Sequence, residues 1–487
     1  MSISISGYSD TNRVPGFYFA LDNSKANTAS AARRVLVVGQ MVSGTGTALK
    51  AEISAGAADA IAKYGDGSQC AILVQEYVAT DGQGELWVLP LADDAAAVAA
   101  TGSFVITGPA SASGTLALYV DGQLIAVPVE TGDAAATIAS NVVAAAASVV
   151  NVPMTLTSTD ATVTATAKNK GLAGNDLLLG INLLGTAGGQ SLPAGVSVAV
   201  TQPTGGTQNP TTLASGLDAL GERVYDLVAH GYSDAASLSA LKAWTADRWD
   251  AMDQFYGVGV TAYRGTYGQT TAFGLTQNDP HHVVMGISSS PSSPVRWAAQ
   301  IAAQAAITMR SNPATPITGL ALSVMAPVEA DRFILSERNT LLHDGIGTFT
   351  VDDSNVVSIE RLVTTYQTNG AGVADDSYLD VETLLTAQVC LQDLRSYLAT
   401  TFTGYILVAD GSKIGAGMKG TTAAIIGQSC VSRYRVQCTN LWCQNPDTFA
   451  ANIVAENVGG GVVKLLLPYD FANQLWVIAG SAQFVKS

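Results

Sequence analysis

The sequence predicts a multidomain α/β (α+β) protein whose N- and C-terminal parts form a core of mixed sheet and helices around an inserted β-rich domain. Three observations predict this class. Strand-like and helix-like segments alternate near the start and again in the second half, the composition changes abruptly between them, and both ends of the chain look like extended arms. At 487 residues the chain is also too long for one core.

The first α/β stretch shows the alternation directly. The apolar run RVLVVG (34–39) is typical of a strand, and ELWVLPL (85–91) of the next one. Between them, ADAIAKYG (58–65) and SQCAILVQEYVA (68–79) have the pattern of helices. This is the element order of an α/β domain.

The composition changes at about residue 101. Residues 101–200 contain only seven charged residues and two aromatic ones, with no Trp, Cys or His. Short runs with alternating apolar residues, such as SFVITG and ATVTATAK, predict strands, and one Ala-rich helix (133–148) interrupts them. PTGGTQNP (203–210) ends this stretch as a linker. A separate β-rich domain is therefore expected here.

The α/β pattern then resumes. VYDLVAHG (224–231) and YGVGVTAY (256–263) flank a helix that holds two tryptophans. HHVVMGIS (281–288) precedes the helix VRWAAQIAAQAAITMR (295–310). The β-rich domain is thus predicted to be inserted into an α/β domain and not attached to its end.

The last third of the chain predicts a strand, a long helix and two final strands. VVSIERLVTTY (356–366) is the strand, and Ser377 is predicted to cap the helix, with Asp380 as its acidic partner. One face of the helix is apolar, formed by Val381, Leu384, Leu385, Leu391, Leu394 and Leu398. The final strands are expected within 461–470 and 473–487.

Six segments follow from these changes along the chain. They are an extended N-terminal arm (1–32), the first part of the core α/β domain (33–100), the inserted β-rich domain (101–202), the middle part of the core (203–350), a C-terminal domain (351–472) and a C-terminal strand or arm (473–487).

The composition favours a subunit that is buried among copies of itself. Only 13% of the residues are charged and 48% are hydrophobic, so the surface must be rich in Thr, Ser, Ala and Gly. A net charge of −15 argues against a nucleic-acid partner. We expect neither membrane insertion nor a signal peptide from the apolar patterning. The five cysteines are interpreted as reduced core thiols: Cys70, Cys390, Cys430, Cys438 and Cys443.

No motif predicts an enzyme or a cofactor. VLVVGQMVSGTGT (35–47) has Thr45 where a phosphate-binding loop needs lysine, so it is interpreted as a turn that ends a strand. His281 and His282 are adjacent and would point to opposite faces of a strand, while His230 and His343 are remote in sequence. The three acidic pairs are interpreted as solvated turn carboxylates: Asp93–Asp94, Asp352–Asp353 and Asp375–Asp376. Catalytic residues, metal sites and cofactors are all predicted to be absent.

One basic stretch stands out in this acidic chain. Residues 411–446 contain no acidic residue. Their charge comes from Lys413, Lys419, Arg433 and Arg435. The pattern of residues 420–435 predicts a helix that carries part of this charge. We interpret the stretch either as a solvated face or as a docking element for an acidic partner.

Three long stretches of this sequence resemble one family. The leader RVPGFYFALDNSKA (13–26), the strand RRVLVVGQ (33–40) and the run VSIERLVTTYQTNGAGVADDSYLDVETLLTAQVCLQDLRSYLATTF (357–402) resemble contractile phage tail sheath proteins of the Mu-like kind. The resemblance covers both α/β parts of the chain, with the β-rich domain at a variable insertion point. It rests on segment order and not on a catalytic signature.

The resemblance implies a structural virion protein that forms six-fold rings in a helical sheath around a tail tube protein, with baseplate and tail terminator proteins as further partners. Assembly would take place in the host cytoplasm, and contraction would drive the tube through the host envelope. It also implies that extended arms pair with sheets of neighbouring subunits. The candidate arm contacts are Val14, Phe17, Tyr18, Phe19, Leu475, Trp476 and Val477. The four basic residues become candidates for tube contact.

The resemblance assigns the insertion to the outside of the sheath, as a spacer or surface domain whose deletion should leave polymerisation intact. Two other classes stay open on the sequence alone. A secreted surface-array or adhesin protein fits the low charge and the β-rich insertion but not the α/β parts. An α/β enzyme with an inserted domain would need a cleft of perturbed titratable groups.

Overall fold

The computed structural model describes residues 33–484. The predicted N-terminal arm and the last three residues lie outside this part. Between residues 33 and 484, no helix combines the length and the apolar character needed to cross a bilayer.

The first half of the described chain contains ten strands and three α-helices. The stretch before the insertion consists of β1 (Arg34–Gln40), β2 (Glu52–Ile53), α1 (Ala57–Tyr64), α2 (Gln69–Thr80) and β3 (Glu85–Leu91). The insertion consists of β4 (Thr101–Thr107), β5 (Gly114–Val120), β6 (Gln123–Val129), α3 (Ala135–Ala146), β7 (Met154–Thr159), β8 (Thr162–Ala167), β9 (Leu179–Ile181) and β10 (Ser197–Thr204).

The second half of the described chain adds eight helices and ten strands. The resumed α/β stretch consists of α4 (Leu213–Asp218), β11 (Leu227–His230), α5 (Ala235–Arg248), β12 (Val258–Tyr263), α6 (Tyr267–Gly274), β13 (His282–Gly286) and α7 (Pro294–Ser311). The C-terminal part consists of β14 (Ala321–Leu322), α8 (Leu335–His343), β15 (Thr348–Val351), β16 (Val357–Arg361), α9 (Val381–Phe402), β17 (Ile406–Leu407), β18 (Gly420–Thr421), α10 (Ala423–Thr439), α11 (Pro446–Asn452), β19 (Val454–Gly459) and β20 (Val462–Leu466).

A six-stranded sheet forms the centre of the α/β part. Its order is β13–β12–β11–β1–β3–β2, and all neighbours are parallel except β2 and β3. Strand β1 is buried on both faces: Val35 and Val37 join the hydrophobic cluster on the side of α2 and α7, while Leu36 and Val38 join the cluster on the side of α4 and α5. A continuous apolar run is what such a two-sided strand needs. The predicted α/β class is confirmed.

The insertion has a hydrophobic cluster of its own, built around Phe104, Leu118 and Ile138. It consists of an antiparallel sheet β10–β4–β8–β7, a second sheet β6–β5–β9 and helix α3. Thr101 of β4 pairs with Thr204 of β10, so the chain enters and leaves the insertion through neighbouring strands. The exact domain boundaries stay predictions.

The structure corrects two details of the C-terminal part. Helix α9 begins at Val381 with Asp380 at its N-cap position, and not after Ser377. The reason is a turn followed by a β-bridge: the amide of Leu379 donates to the carbonyl of Asp376, and Asp380 bridges Val363. The second expected strand, within 473–487, is not formed inside the described chain, because residues 473–484 make no strand hydrogen bonds there; its pairing with a neighbouring subunit stays a prediction.

A buried ionic cluster ties the insertion to the core. Asp121, at the β5–β6 turn, accepts hydrogen bonds from Nε of Arg296 and from the backbone amide of Ser293, both at 2.7 Å. Arg296 lies in the first turn of α7 and also pairs with Glu76 of α2. Asp121 is completely buried and Arg296 is 5% exposed. A residue of the insertion thus accepts hydrogen bonds from the first turn of a core helix.

A second polar joint lies beside the first. Asn169 accepts a hydrogen bond from the amide of Gln69 at 3.0 Å, and donates to Asp93 and to the carbonyl of Met41. The amide of Lys170 donates to Asp93 at 2.9 Å. Asp93 therefore joins two domains and is not the solvated turn carboxylate that we expected. Deletion of the insertion would remove these hydrogen-bond partners of the core. A deletion experiment therefore tests the folding of the core as well as the position of the insertion in a sheath.

Replacing Asp121 with asparagine should destabilise the folded protein. The amide oxygen can still accept from Ser293, but the amide nitrogen would then face Nε of Arg296, so a buried charge-assisted hydrogen bond is lost. We expect the free energy of unfolding to fall by about 2–3 kcal/mol. Urea denaturation followed by circular dichroism measures this change.

Glu130→Gln is the matched control, because it removes an exposed carboxylate from the same domain. Its free energy of unfolding should stay within about 0.5 kcal/mol of the original. Equal stability of the Asp121→Asn and Glu130→Gln proteins would show that Asp121 does not balance Arg296.

Candidate assembly surfaces

The C-terminal hairpin is the first candidate surface. Strands β19 and β20 form a two-stranded sheet, and the described residues place no third strand on either of its edges. Its inner face packs on α10, where a Cβ added to Gly427 would lie 3.1 Å from Cβ of Ala455. Its outer face carries Val454 and Leu466, which are cross-strand neighbours and are 52% and 65% exposed. In the described chain the hairpin thus presents both backbone edges and, beside the exposed cross-strand neighbours Glu456 and Lys464, apolar side chains on its outer face.

The tip of this hairpin is made of three consecutive glycines. Gly459, Gly460 and Gly461 all have positive φ angles, 86°, 63° and 82°. Residues other than glycine rarely adopt such φ angles, so the turn needs this sequence. The strand after the glycines was predicted from the sequence but β19 was not; the GGG between two runs rich in valine was the available signal.

The segment after the hairpin is anchored at its start and exposed beyond. Cys443 bridges Phe471, and the amide of Ala472 donates to the carbonyl of Trp442. Trp476 lies 4.6 Å from the Arg361 guanidinium, measured to the ring centroid. Its neighbours Leu475 and Val477 are 70% and 78% exposed.

The predicted arm contacts therefore fall into two groups. Leu475 and Val477 lie on the exposed side of the C-terminal segment, while Trp476 packs against the protein's own surface. The four N-terminal candidates lie outside the described residues: Val14, Phe17, Tyr18 and Phe19.

The four basic candidates do not form one patch of free charge. Arg433 pairs with Asp393 of α9, with 2.7 Å between Nε and Oδ2, and Arg435 lies 3.6 Å from Asp447. Both acidic partners lie outside residues 411–446. Lys413 and Lys419 are exposed, and neither forms an ion pair with the described residues. Reversal of Arg433 would place a second negative charge beside Asp393, so only the two lysines allow a clean test of docking.

The structure overturns one interpretation of the histidines. His230, which we expected to be remote, lies 3.0 Å from His282 between the two Nε2 atoms, and both are buried. Gly259 on β12 lies between their strands, and a Cβ there would be 2.6 Å from Nδ1 of His282. The missing side chain lets the His282 ring cross β12. The contact of the two histidines through the space beside Gly259 could not be predicted from their spacing in the sequence.

The hydrogen bonds fix how this pair is protonated. The amide of Tyr232 donates to Nδ1 of His230, so the proton of that ring sits on Nε2 and is donated to His282. Burial, together with the neighbouring His282, holds the pKa of His230 well below its usual value, and burial also lowers the pKa of His282. A proton on both rings would leave two donors facing each other. Within residues 33–484, no group of three His, Cys, Asp or Glu side chains is arranged to hold a metal ion.

The histidine pair predicts a pH dependence that a variant can isolate. Because these histidines are neutral in the fold and bind protons when unfolded, their contribution is present above pH 6.5 and is lost as the pH falls. We expect the stability difference between the original protein and His282→Gln to shrink by about 1 kcal/mol between pH 7 and 5.5. Urea denaturation at several pH values measures it.

The control for this experiment is His343→Gln, because the exposed His343 stays in water in both states. The stability difference for His282→Gln should shrink more than that for His343→Gln over the same pH range. Burial raises the pKa of Glu382 to about 7, which acts in the opposite sense in all three proteins and cancels in the comparison. An equal change for the two variants would contradict the neutral pair.

Comparison with known sequences assigns the chain to a family. Residues 205–365, which span the central strands β11 to β13 and helix α7, match the phage tail sheath protein central domain. Over the whole length of both proteins, the chain is 31% identical to the Mu-like prophage FluMu tail sheath protein of Haemophilus influenzae.

Solved structures support the same fold. The sheath tail protein of Listeria innocua is similar with a TM-score of 0.51 at 13% identity, covering 92% of this chain and 94% of that one. The sheath tail protein of Desulfitobacterium hafniense gives a TM-score of 0.50 at 12% identity, covering 94% and 97%. From the full-length sequence match and this shared fold, we conclude that the chain belongs to the phage tail sheath protein family and is a structural protein of a phage-like contractile tail.

Proposed function

We propose that this subunit polymerises as stacked hexameric rings, which form a helical sheath around a tail tube. Contraction of the sheath drives the tube through the host envelope during genome ejection. The subunit is assembled in the host cytoplasm, becomes part of the virion, and meets baseplate and tail terminator proteins at the two ends of the sheath. Its role is mechanical and not enzymatic, which the family favours over a surface-array protein or an α/β enzyme.

The observation that carries this proposal is the β19–β20 hairpin with two open edges. A strand of five residues added to an edge makes backbone hydrogen bonds of about 1 kcal/mol each, so each added strand contributes about 4–5 kcal/mol. An edge of this kind is an aggregation hazard in a monomer. In a sheath, the same property joins one subunit to the next.

The two arms of the chain are the proposed donors for these edges. Leu475 and Val477 are exposed and separated by two positions, which is the spacing of residues on one face of a strand. The predicted N-terminal arm contributes Phe17, Tyr18 and Phe19 to pockets on a neighbour. Two arms and two edges would give each hairpin a four-stranded sheet made from more than one subunit.

Contraction needs a source of free energy, and we assign it to surface burial. Burial of apolar surface contributes about 25 cal/mol per Å². A few hundred additional Å² buried per subunit in the contracted lattice would therefore supply several kcal/mol, multiplied over the tail. The arms would keep neighbours connected while the rigid domains move outward.

The proposed tube contact is the exposed segment around Lys413 and Lys419. Exposed ion pairs are individually weak, typically ~0.2–1 kcal/mol, so a contact made from them can break during contraction. The insertion is proposed to lie on the outer surface, and its low charge fits a domain that contacts neither tube nor nucleic acid.

Changing the outer face of the hairpin should prevent polymerisation without unfolding the subunit. In the double variant Val454→Lys, Leu466→Lys, charged ends would oppose the packing of an added strand. We expect tubes or six-fold rings from the original protein in negative-stain electron microscopy, alone or on a co-expressed tail tube protein. The variant and a protein without residues 1–30 should give monomers in sedimentation.

Met252→Lys is the matched control, since Met252 is an exposed apolar residue in the α5–β12 loop. It should polymerise like the original. Normal tubes from the double variant would show that the hairpin does not receive the arms.

Reversal of the two lysines tests the tube contact separately. Lys413→Glu, Lys419→Glu should spare sheath self-assembly and reduce the amount of sheath that co-sediments with tail tubes, with a larger reduction at low salt. Lys170→Glu, Lys242→Glu makes the same charge change at two exposed lysines elsewhere in the described chain and should bind tubes normally. Full tube binding by the double variant would exclude this segment as the contact.

A further inference from the structure

Two free thiols of the C-terminal part are in direct contact. Sγ of Cys390, in the middle of α9, lies 3.7 Å from Sγ of Cys443, in the turn between α10 and α11. Cys390 has no exposed surface and Cys443 is 4% exposed. They are 53 positions apart in sequence, so the fold alone brings them together.

The backbones on both sides of this contact are held in place. The side-chain amide of Gln437 donates to the carbonyl of Cys390 at 3.0 Å. Cys443 bridges Phe471, and the amide of Gln444 donates to the carbonyl of Asp470 at 2.9 Å. The stacked rings of Tyr434 and Phe449 belong to the same cluster. The two sulfur atoms therefore stay near each other while the region is folded.

A disulfide bond needs the sulfur atoms to approach to about 2.05 Å. Rotation about each Cα–Cβ bond moves a sulfur atom without moving the backbone, and this is the motion that bond formation requires. The other cysteines do not share this contact: Cys70 lies in α2, and Cys430 and Cys438 lie on α10.

We propose that Cys390 and Cys443 are a latent disulfide, reduced in the cytoplasm and formed when the protein meets an oxidising environment. In this step each thiol loses one proton and one electron, and one sulfur–sulfur bond forms. Dioxygen accepts the two electrons and two protons and becomes hydrogen peroxide. The timing rests on the proposed function, because a virion leaves the reducing cytoplasm when the cell lyses, but the bond itself does not.

The disulfide bond would link α9 covalently to the turn between α10 and α11, which precedes the β19–β20 hairpin. Helix α9 packs into the main cluster through Leu384, Leu385 and Val389, while Cys443 lies beside the segment that leads to the C-terminal arm. In a sheath, force on the arms would reach α9 through a covalent link. Contact with Cys443 and burial both raise the pKa of the Cys390 thiol, which keeps the reactive thiolate scarce, so oxidation of the pair should be slow.

The experiment compares reduced and oxidised protein at pH 8.5. Purified subunit is incubated for several days in air, and in parallel with diamide, an oxidant that takes two electrons and two protons from a pair of thiols. Free thiols are then counted in denaturant with a thiol-specific chromophore. We expect five thiols to become three, and non-reducing peptide mapping to join the Cys390 peptide to the Cys443 peptide. The melting temperature of the oxidised form should rise by about 5 °C, because the bond restricts the unfolded chain.

Two variants make the result specific. Cys438→Ser should still lose two of its four thiols, whereas Cys443→Ser should keep all four and show no shift in melting temperature. Retention of all five thiols in the original protein, or a link that involves Cys430 or Cys438, would overturn the proposal. If Cys443→Ser does not fold, the peptide map of the original protein decides alone. Because none of these measurements needs polymers, failure of the sheath function and failure of the disulfide are distinguishable.

Discussion

The guanidinium of Arg296 is a buried charge, and the arrangement of the protein depends on how its hydrogen bonds are satisfied. Its two carboxylate partners come from different parts of the chain, Glu76 from α2 and Asp121 from the insertion. Glu76 alone would leave the first turn of α7 without the hydrogen bonds that Asp121 accepts from Arg296 and Ser293, so both parts are needed to satisfy this site. Helix α7 in turn covers one face of the central sheet. The insertion is therefore part of how the core closes and not only a domain attached to it.

The described surface has the character of a subunit that is incomplete alone. Apolar side chains on the hairpin and on the C-terminal segment are exposed, and the hairpin leaves backbone donors and acceptors without partners in the described chain. Hydrogen bonds along the backbone tolerate changes in side chains, so two relatives can differ in most residues and still be joined in the same way.

Much of the fold could be predicted from the sequence, because its main features are local. The apolar runs of β1 and β3 mark buried strands, the low charge of residues 101–200 marks the insertion, and long similar stretches mark the family. Features that depend on distant residues could not be predicted. His230 meets His282 only because Gly259 lies between them, and Arg433 is neutralised by Asp393 from another helix. The start of α9 was misplaced because a β-bridge at Asp380 overrides the capping preference of Ser377.

The paired strands β4 and β10 have a consequence for how such proteins diversify. A domain whose two ends are neighbours can be exchanged by recombination with little disturbance to its host, since any replacement with adjacent ends fits the same gap. In this chain the exchange carries a condition. A replacement domain would need a carboxylate at the position of Asp121, or Arg296 of the core domain would have to be substituted at the same time. Coupled changes at these two positions are thus the trace that domain exchange would leave among relatives.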